Sequence, residues 1–342
     1  MRILSFVYKH PLERFEELFF LGGDVVWIDD LTKNIGLKVG RKTFQSIIAV
    51  LNVLLKHKRF RNYDVVYVPS ESWAQIIGLL VAKLCKIPLV IRMRGNPFMV
   101  RKIKSATSQR KIFAKILSAF FDKVDKFTLS KANLIISAAH CLAHELKEIN
   151  HNVVTVWNGV DKKFFEITPI YPQGNSDIVF GYVGRISSEK GIDLLFEAIK
   201  GIPVKVRIFG AIEHNVNFPE NVEYMGYVPR ERIEEIYRLF DVLVLPSFTE
   251  GLPRVIQEAM LLGKPIICTN VGDNSVVVDE NGGWICKPKP EELRYAFYEA
   301  LKLGKPKLQH IMGIYNRCKA ESMFYSWEEY VKKVRETIKR YV

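Results

Sequence analysis

The sequence is short of several features, and each shortage closes off a class of protein. Its 342 residues hold five cysteines. Cys85, Cys141, Cys268, Cys286 and Cys318 are odd in number and scattered, and no Cys-x-x-Cys pair lies beside histidines. A disulfide framework and a zinc site are therefore excluded, and the cysteines are expected to be reduced, buried thiols of a cytosolic protein. The chain opens directly on a strand, residues 2–8, followed by charge instead of a cleavage site, so no signal peptide is expected. The longest apolar stretch, 76–85, is interrupted by Lys83 and is too short to span a bilayer. Any membrane contact is thus expected to be peripheral, at the inner face of the membrane.

Acidic residues are scarce in the first half. Residues 1–150 carry 12 Asp and Glu against 25 Lys and Arg, whereas residues 151–342 carry 25 of each, so the whole excess of +13 sits in the first half. Such a field favours an anionic partner: a membrane surface, a phosphorylated lipid, an acidic glycan or nucleic acid. No aromatic-basic RNA motif or helix-turn-helix signal is present, which argues against nucleic acid. No Gly-x-Gly-x-x-Gly follows a strand with an acidic residue about twenty positions later, which argues against a dehydrogenase.

What is present is an alternation of short apolar, β-branched runs with helical-period segments, the sequence form of repeated βα units on a parallel sheet. In the first half strands are expected over 2–8, 24–28, 65–68, 89–92 and 134–137, with helices over 44–57, 73–85 and 109–130. A linker over 166–177, carrying Pro169, Pro172 and Gly174, precedes a second series over 178–183, 204–209, 222–225, 242–245 and 266–268. Two such sets predict an α/β chain of two Rossmann-like domains facing across a cleft, over 1–165 and 166–325. The amphipathic segment 327–341 predicts a closing helix.

Ligands of such sheets sit at the carboxyl ends of strands, where loops open helices whose N-termini attract phosphate. Two segments there carry chemistry. In Leu245-Pro246-Ser247-Phe248-Thr249-Glu250-Gly251-Leu252-Pro253-Arg254-Val255-Ile256-Gln257-Glu258, Pro253 suits a first helical turn and Gly251 admits close backbone approach to a ligand. Glu250 lies in the loop and Glu258 about two turns into the helix, so the two carboxylates address different parts of one molecule; a carboxylate accepts both hydroxyls of a diol. In Gly184-Arg185-Ile186-Ser187-Ser188-Glu189-Lys190-Gly191, Gly184 lets the backbone turn, while Arg185 and Lys190 supply two cations. Two cations neutralise a leaving diphosphate without a metal, and the chain has no Asp-x-Asp motif.

Read together, Gly-Arg-x-x-x-x-Lys-Gly, a strand ending Leu-Pro-Ser, and Glu-Gly-Leu-Pro-x-x-x-x-Glu-Ala-Met resemble glycosyltransferase family 4, the retaining glycosyl transferases group 1 of the GT-B fold. Three further pieces match: 132–137, Asn158-Gly159-Val160-Asp161, and Phe324-Tyr325-Ser326-Trp327. The resemblance implies an acceptor role for the domain over 1–165 and a nucleotide-sugar role for that over 166–325, and that the last segment, 326–342, packs back on the first domain. It implies a nucleotide diphosphate sugar donor, UDP- or GDP-linked, no separate cofactor and no metal, with a hexose passed to a glycan or lipid-linked acceptor. Glu258 would hold the ribose and Glu250 the transferred sugar, with Arg185 and Lys190 on the diphosphate. Gly251 and Leu252 would offer backbone amides, and the Phe209-Gly210 and Tyr227-Val228 loops would flank the base. A sugar-nucleotide epimerase of the same shape is the alternative within enzymes, and a non-catalytic binder of anions the alternative outside them.

Two departures concern the acceptor side. Where many members have a sugar-facing histidine, this chain reads Arg92-Met93-Arg94-Gly95-Asn96-Pro97, and in place of a Gly-rich acceptor loop it reads Lys9-His10-Pro11-Leu12. Residues 100–131 are strongly basic and carry an apolar stripe of Ile112, Phe113, Ile116, Leu117, Phe120, Val124 and Phe127. Family members have a core helix at this place, so the stripe is expected to pack inward, leaving Arg101, Lys102, Lys104, Arg110 and Lys111 exposed to an anionic membrane.

Overall fold

The computed structural model describes residues 1–7, 24–27, 50, 55, 57–107, 111–169, 177–213 and 215–342. Most of the helix expected over 44–57, His10 and most of the linker over 166–177 lie outside the described residues. Two compact units result: residues 1–157 joined by 327–342, and residues 158–326.

Among the described residues of the first unit six strands form one all-parallel sheet. They are β1 (Ile3–Val7), β2 (Asp24–Trp27), β3 (Val65–Pro69), β4 (Leu89–Met93), β5 (Leu134–Ser137) and β6 (Val153–Thr155), in the order β2-β1-β3-β4-β5-β6. The central runs Val65–Pro69, Leu89–Met93 and Leu134–Ser137 are buried throughout, as strands covered on both faces require. Helices α1 (Ser72–Cys85), α2 (Pro97–Thr107), α3 (Lys111–Ser130) and α4 (His140–Lys147) provide cover. The helix expected over 109–130 stands as α3, while α2 was not anticipated. Pro97 opens α2, a position where its missing N–H is no loss.

The second unit repeats the design. Strands β7 (Val179–Val183), β8 (Lys205–Phe209), β9 (Val222–Gly226), β10 (Val242–Leu245), β11 (Ile266–Thr269) and β12 (Gly283–Cys286) run parallel in the order β12-β11-β10-β7-β8-β9. Its longer helices among the described residues are α5 (Ile192–Ile199), α6 (Arg254–Leu261), α7 (Pro290–Lys307) and α8 (Ile314–Met323). From β7 the chain winds outward through β8 and β9, then returns to β10 and winds the other way. The reversal between β7 and β10 is the switch point at which an open α/β sheet leaves a crevice beyond its strand ends. The last helix, α9 (Trp327–Tyr341), belongs to the first unit. There the buried guanidinium of Arg92 lies 5.3 Å from the Tyr330 ring centroid and donates to the Val156 carbonyl at 2.9 Å.

Of the thiols expected to be buried, Cys268 and Cys286 are, Cys85 is half-buried, and Cys141 and Cys318 are exposed. The last two lie on outward faces of α4 and α8, where periodicity alone does not fix the side. A lysine is buried instead. Lys264, just before β11, is fully enclosed and donates to the Phe240 carbonyl at 2.9 Å. Burial pulls its pKa from 10.5 down to about 7, against the opposing pull of Asp241. Between these values the unfolded chain binds the proton that the folded chain has released, so stability rises with pH across that window, and the penalty is fully present below about 7. The unfolding free energy of the parent should therefore climb relative to that of Lys264→Met between about pH 7 and pH 9.5, by up to about 1.4 kcal/mol per pH unit, as read from urea unfolding. Parallel pH profiles for the two proteins would show that Lys264 keeps its proton in the fold.

Candidate functional site

The expected site residues gather in the second unit at the carboxyl ends of its strands. Gly184 and Arg185 follow β7, Gly210 follows β8, Tyr227 and Val228 follow β9, and Glu250 lies in the loop between β10 and α6. The β7 and β10 loops meet because two backbone details allow it. Gly191 has φ +71°, and a Cβ there would lie 1.9 Å from the Pro246 carbonyl oxygen. Beside it the Phe248 amide donates to the Glu189 carbonyl at 3.0 Å. Only a glycine both accepts the left-handed conformation and lets the second backbone come so near. The β7 and β8 loops join similarly: a Cβ on Gly210 would lie 1.8 Å from the Gly184 carbonyl oxygen.

This closure sets the side chains. Lys190 Nζ lies 2.7 Å from Glu250 Oε1, and the buried Ser247 hydroxyl donates to the same oxygen at 2.7 Å. Lys190 and Glu250, read separately as phosphate and sugar ligands, are thus one ion pair. Arg185 donates to both Glu213 oxygens, at 2.8 and 3.0 Å, and pairs with Glu189. Burial lowers the Arg185 pKa, but hydrogen bonding to Glu213 and the charge of Glu189 outweigh it, and the net shift is upward. Tyr182, below these groups, donates to the Arg185 carbonyl at 2.6 Å; burial first, then the Glu250 charge, hold its phenol protonated.

Glu258 is a separate constellation. It is fully buried on α6, pairs with Arg230 and accepts from the Tyr237 hydroxyl at 2.9 Å. Burial and the Glu258 charge push the Tyr237 pKa well above 10, so the phenol stays a donor. Gly251 uses its carbonyl to accept from the Asp273 amide at 2.8 Å, and Leu252 is buried beside it. Glu189, Glu213, Arg230, Tyr237 and Ser247 were not singled out from the sequence. Their signal lies in pairings across separations of 3 to 28 positions, which no single motif holds.

The second unit is thus doubly wound, with a cation–carboxylate pair at its switch point and a buried carboxylate on the following helix. Residues 164–318 match the model of the family Glycosyl transferases group 1. It is 26% identical to an uncharacterised glycosyltransferase of Methanocaldococcus jannaschii, covering 76% of this chain and 70% of that one. It is 29% identical to UDP-Gal:alpha-D-GlcNAc-diphosphoundecaprenol alpha-1,3-galactosyltransferase of Escherichia coli, again over 76% and 70% of the two chains. Among solved structures, HepE of Anabaena in complex with UDP-glucose matches with a TM-score of 0.74 at 16% identity, over 99% of this chain and 100% of that one. The GT-B fold of two Rossmann-like units expected from the sequence is thereby established.

The pairing of Glu258 on α6 with Arg230 has a measurable consequence. Arg230→Ala leaves Glu258 charged, buried and short of its cation, which should destabilise the protein by about 3 kcal/mol. Adding Glu258→Gln removes the charge and keeps an acceptor for Tyr237, so the double variant should recover a large part of the loss in urea unfolding. Losses that simply add would show that the pair is not coupled.

Proposed function

We propose that the second unit binds a nucleoside diphosphate sugar, UDP- or GDP-linked, and that the enzyme transfers a hexose to a glycan or lipid-linked acceptor with retention of configuration and without a metal ion. The observation that carries the reading is the Lys190–Glu250 pair set at the switch point. In this reading the diphosphate displaces Glu250 from Lys190 and Glu213 from Arg185. The second exchange is cheap, because both partners are about 40% exposed and such pairs contribute about 0–1 kcal/mol. Glu250, released from Lys190 but kept in place by Ser247, then accepts from hydroxyls of the sugar.

As transfer proceeds, the bond from the anomeric carbon to the diphosphate oxygen breaks and the acceptor hydroxyl oxygen forms the new bond on the same face. The hydroxyl proton passes to the leaving phosphate oxygen. Negative charge grows on that phosphate, and Arg185 and Lys190 are fixed cations that stabilise it. Glu258 stands off the reacting centre; its role is the ribose diol, with Arg230 and Tyr237 fixing its carboxylate. Gly184, Gly251 and Leu252 bring backbone close to phosphate and sugar, and Gly210 and Val228 border the base. Support for the donor and acceptor classes comes from the Escherichia coli relative, whose name carries a UDP-sugar and a diphosphoundecaprenol-linked acceptor. Two cations on the diphosphate supply the charge a metal would otherwise bring, and a metal-free site is accordingly proposed.

The division of roles is testable with conservative variants. Glu258→Gln should weaken binding of plain UDP or GDP in calorimetry. Glu250→Gln should leave that binding nearly intact and lower kcat about a hundredfold, on the scale of ~3 kcal/mol for a preorganised contact. Transfer by the parent should survive EDTA. Equal loss of nucleoside diphosphate affinity in both variants contradicts the assignment, and loss on chelation restored by Mg²⁺ contradicts the metal-free site.

A further inference from the structure

In the first unit, α3 (Lys111–Ser130) is turned with its apolar stripe away from the core. Ile112 is 78% exposed, Phe113 and Ile116 65% each, Phe120 55% and Phe127 54%, with Leu117 alongside at 44%. These positions recur at steps of three and four residues, so they form one face. The expectation that this stripe packs inward is corrected, and the reason lies on the opposite face. There Asp125 is fully buried and paired with Arg101 at 2.8 Å, the buried Thr128 hydroxyl donates to Gln75 at 2.6 Å, and Leu129 completes the contact with the core. The polar anchors hold the inward side, and the large apolar side chains are left to solvent. Arg101, one of the five basic residues expected to stay available, is spent on Asp122 and Asp125. Lys102 is exposed, and the side chains of Lys104, Arg110 and Lys111 lie outside the described residues.

Soluble surfaces rarely keep so large a contiguous apolar face without a use. Its rim identifies the occupant. Lys115, Lys123, Lys126 and Lys131 are exposed on the same helix or at its end, and Lys131 Nζ lies 6.0 Å from the Phe127 ring centroid. The two acids of α3 are both engaged: Asp125 is buried, and Asp122 is held by Arg101 at 2.7 Å. A second copy docked on this face would bring lysines against lysines with no free acid on α3 to meet them. An anionic bilayer meets both features at once, taking the apolar side chains among its acyl chains and the ammonium groups at its phosphates. No helix among the described residues is long and apolar enough to cross a membrane, so this would be binding in the plane of the interface.

We infer that α3 is a membrane-docking helix that lies in the surface of an anionic lipid bilayer through Ile112, Phe113, Ile116, Leu117, Phe120 and Phe127, with Lys115, Lys123, Lys126 and Lys131 on lipid phosphates. The inference rests on the reading of the acceptor as lipid-linked, and it adds the element that brings the enzyme to that acceptor. An apolar, basic helix of this form binds more strongly as anionic lipid increases and less strongly as salt increases.

The test is co-sedimentation of the full chain with vesicles of phosphatidylcholine alone and of equal parts phosphatidylcholine and phosphatidylglycerol. The parent should sediment with the anionic vesicles, with affinity at least about tenfold above that for neutral ones, and should be released by salt. The triple change Phe113→Ser, Ile116→Ser, Phe120→Ser should abolish sedimentation, and Lys115→Gln, Lys123→Gln, Lys126→Gln should remove the preference for anionic lipid. Because these side chains are exposed, both variants should keep the parent's melting temperature and its UDP or GDP binding, which separates a docking failure from a failure of the donor site. A parent that stays in the supernatant, or a serine variant that sediments as the parent does, overturns the inference. So does a parent that runs as a dimer in solution and becomes monomeric on the serine changes, since the face then belongs to a second copy.

Discussion

The Lys190–Glu250 contact at the switch point depends on one close approach, the carbonyl of Pro246 over the Cα of Gly191. The two loops it joins leave adjacent strands and then diverge to opposite faces of the sheet, because the winding reverses between β7 and β10. Without the approach, Lys190 and Glu250 are residues of separate loops 60 positions apart; with it, they are in contact at 2.7 Å. A side chain at position 191 would need space that Pro246 already fills and a φ that L residues adopt only under strain. The glycine is thus a positional requirement of the ion pair rather than a flexible joint.

The charges around this contact fall into two kinds with different uses. Arg185 and Glu213 are both substantially exposed, so water screens them and their separation is inexpensive. Arg230 and Glu258 are shielded, and Tyr237 adds a hydrogen bond from a phenol that burial keeps protonated. The first arrangement suits exchange with an incoming anion, while the second suits holding a carboxylate in one orientation whether or not a ligand is bound. The Lys190–Glu250 pair lies between these extremes, with Glu250 tethered also by Ser247. A site that binds and releases a charged donor needs both kinds.

Much of the fold was legible in the sequence because buried parallel strands read as unbroken apolar runs, as at 65–68, 134–137 and 242–245. The edge strands Val153–Thr155 and Gly283–Cys286 were not, since three or four residues with half-exposed members carry no such signal. The positions of Arg185, Lys190 and Glu250 near strand ends, and of Glu258 on the helix that follows, were legible from the turn residues beside them. Their pairings were not, because each depends on loops brought together by tertiary contacts. The α3 stripe shows a different limit. Periodicity reveals that a helix has two faces, but the inward side was chosen by Asp125, Thr128 and their partners Arg101 and Gln75, and two of these four lie on other helices with no regular spacing to α3.

The claim that loop closure at Gly191 assembles the donor site is tested most directly by comparing Gly191→Ala with Gly201→Ala in calorimetric titration of UDP and GDP. Both glycines have nearly the same left-handed backbone, φ +71° and +73°, but a Cβ at Gly201 meets nothing within 4 Å. Backbone strain is therefore matched, and only the approach to Pro246 differs. The account predicts that Gly191→Ala lowers nucleoside diphosphate affinity by about tenfold to a hundredfold, on the scale of one displaced charged hydrogen bond, while Gly201→Ala binds as the parent does. Equal affinity in the two variants would contradict it.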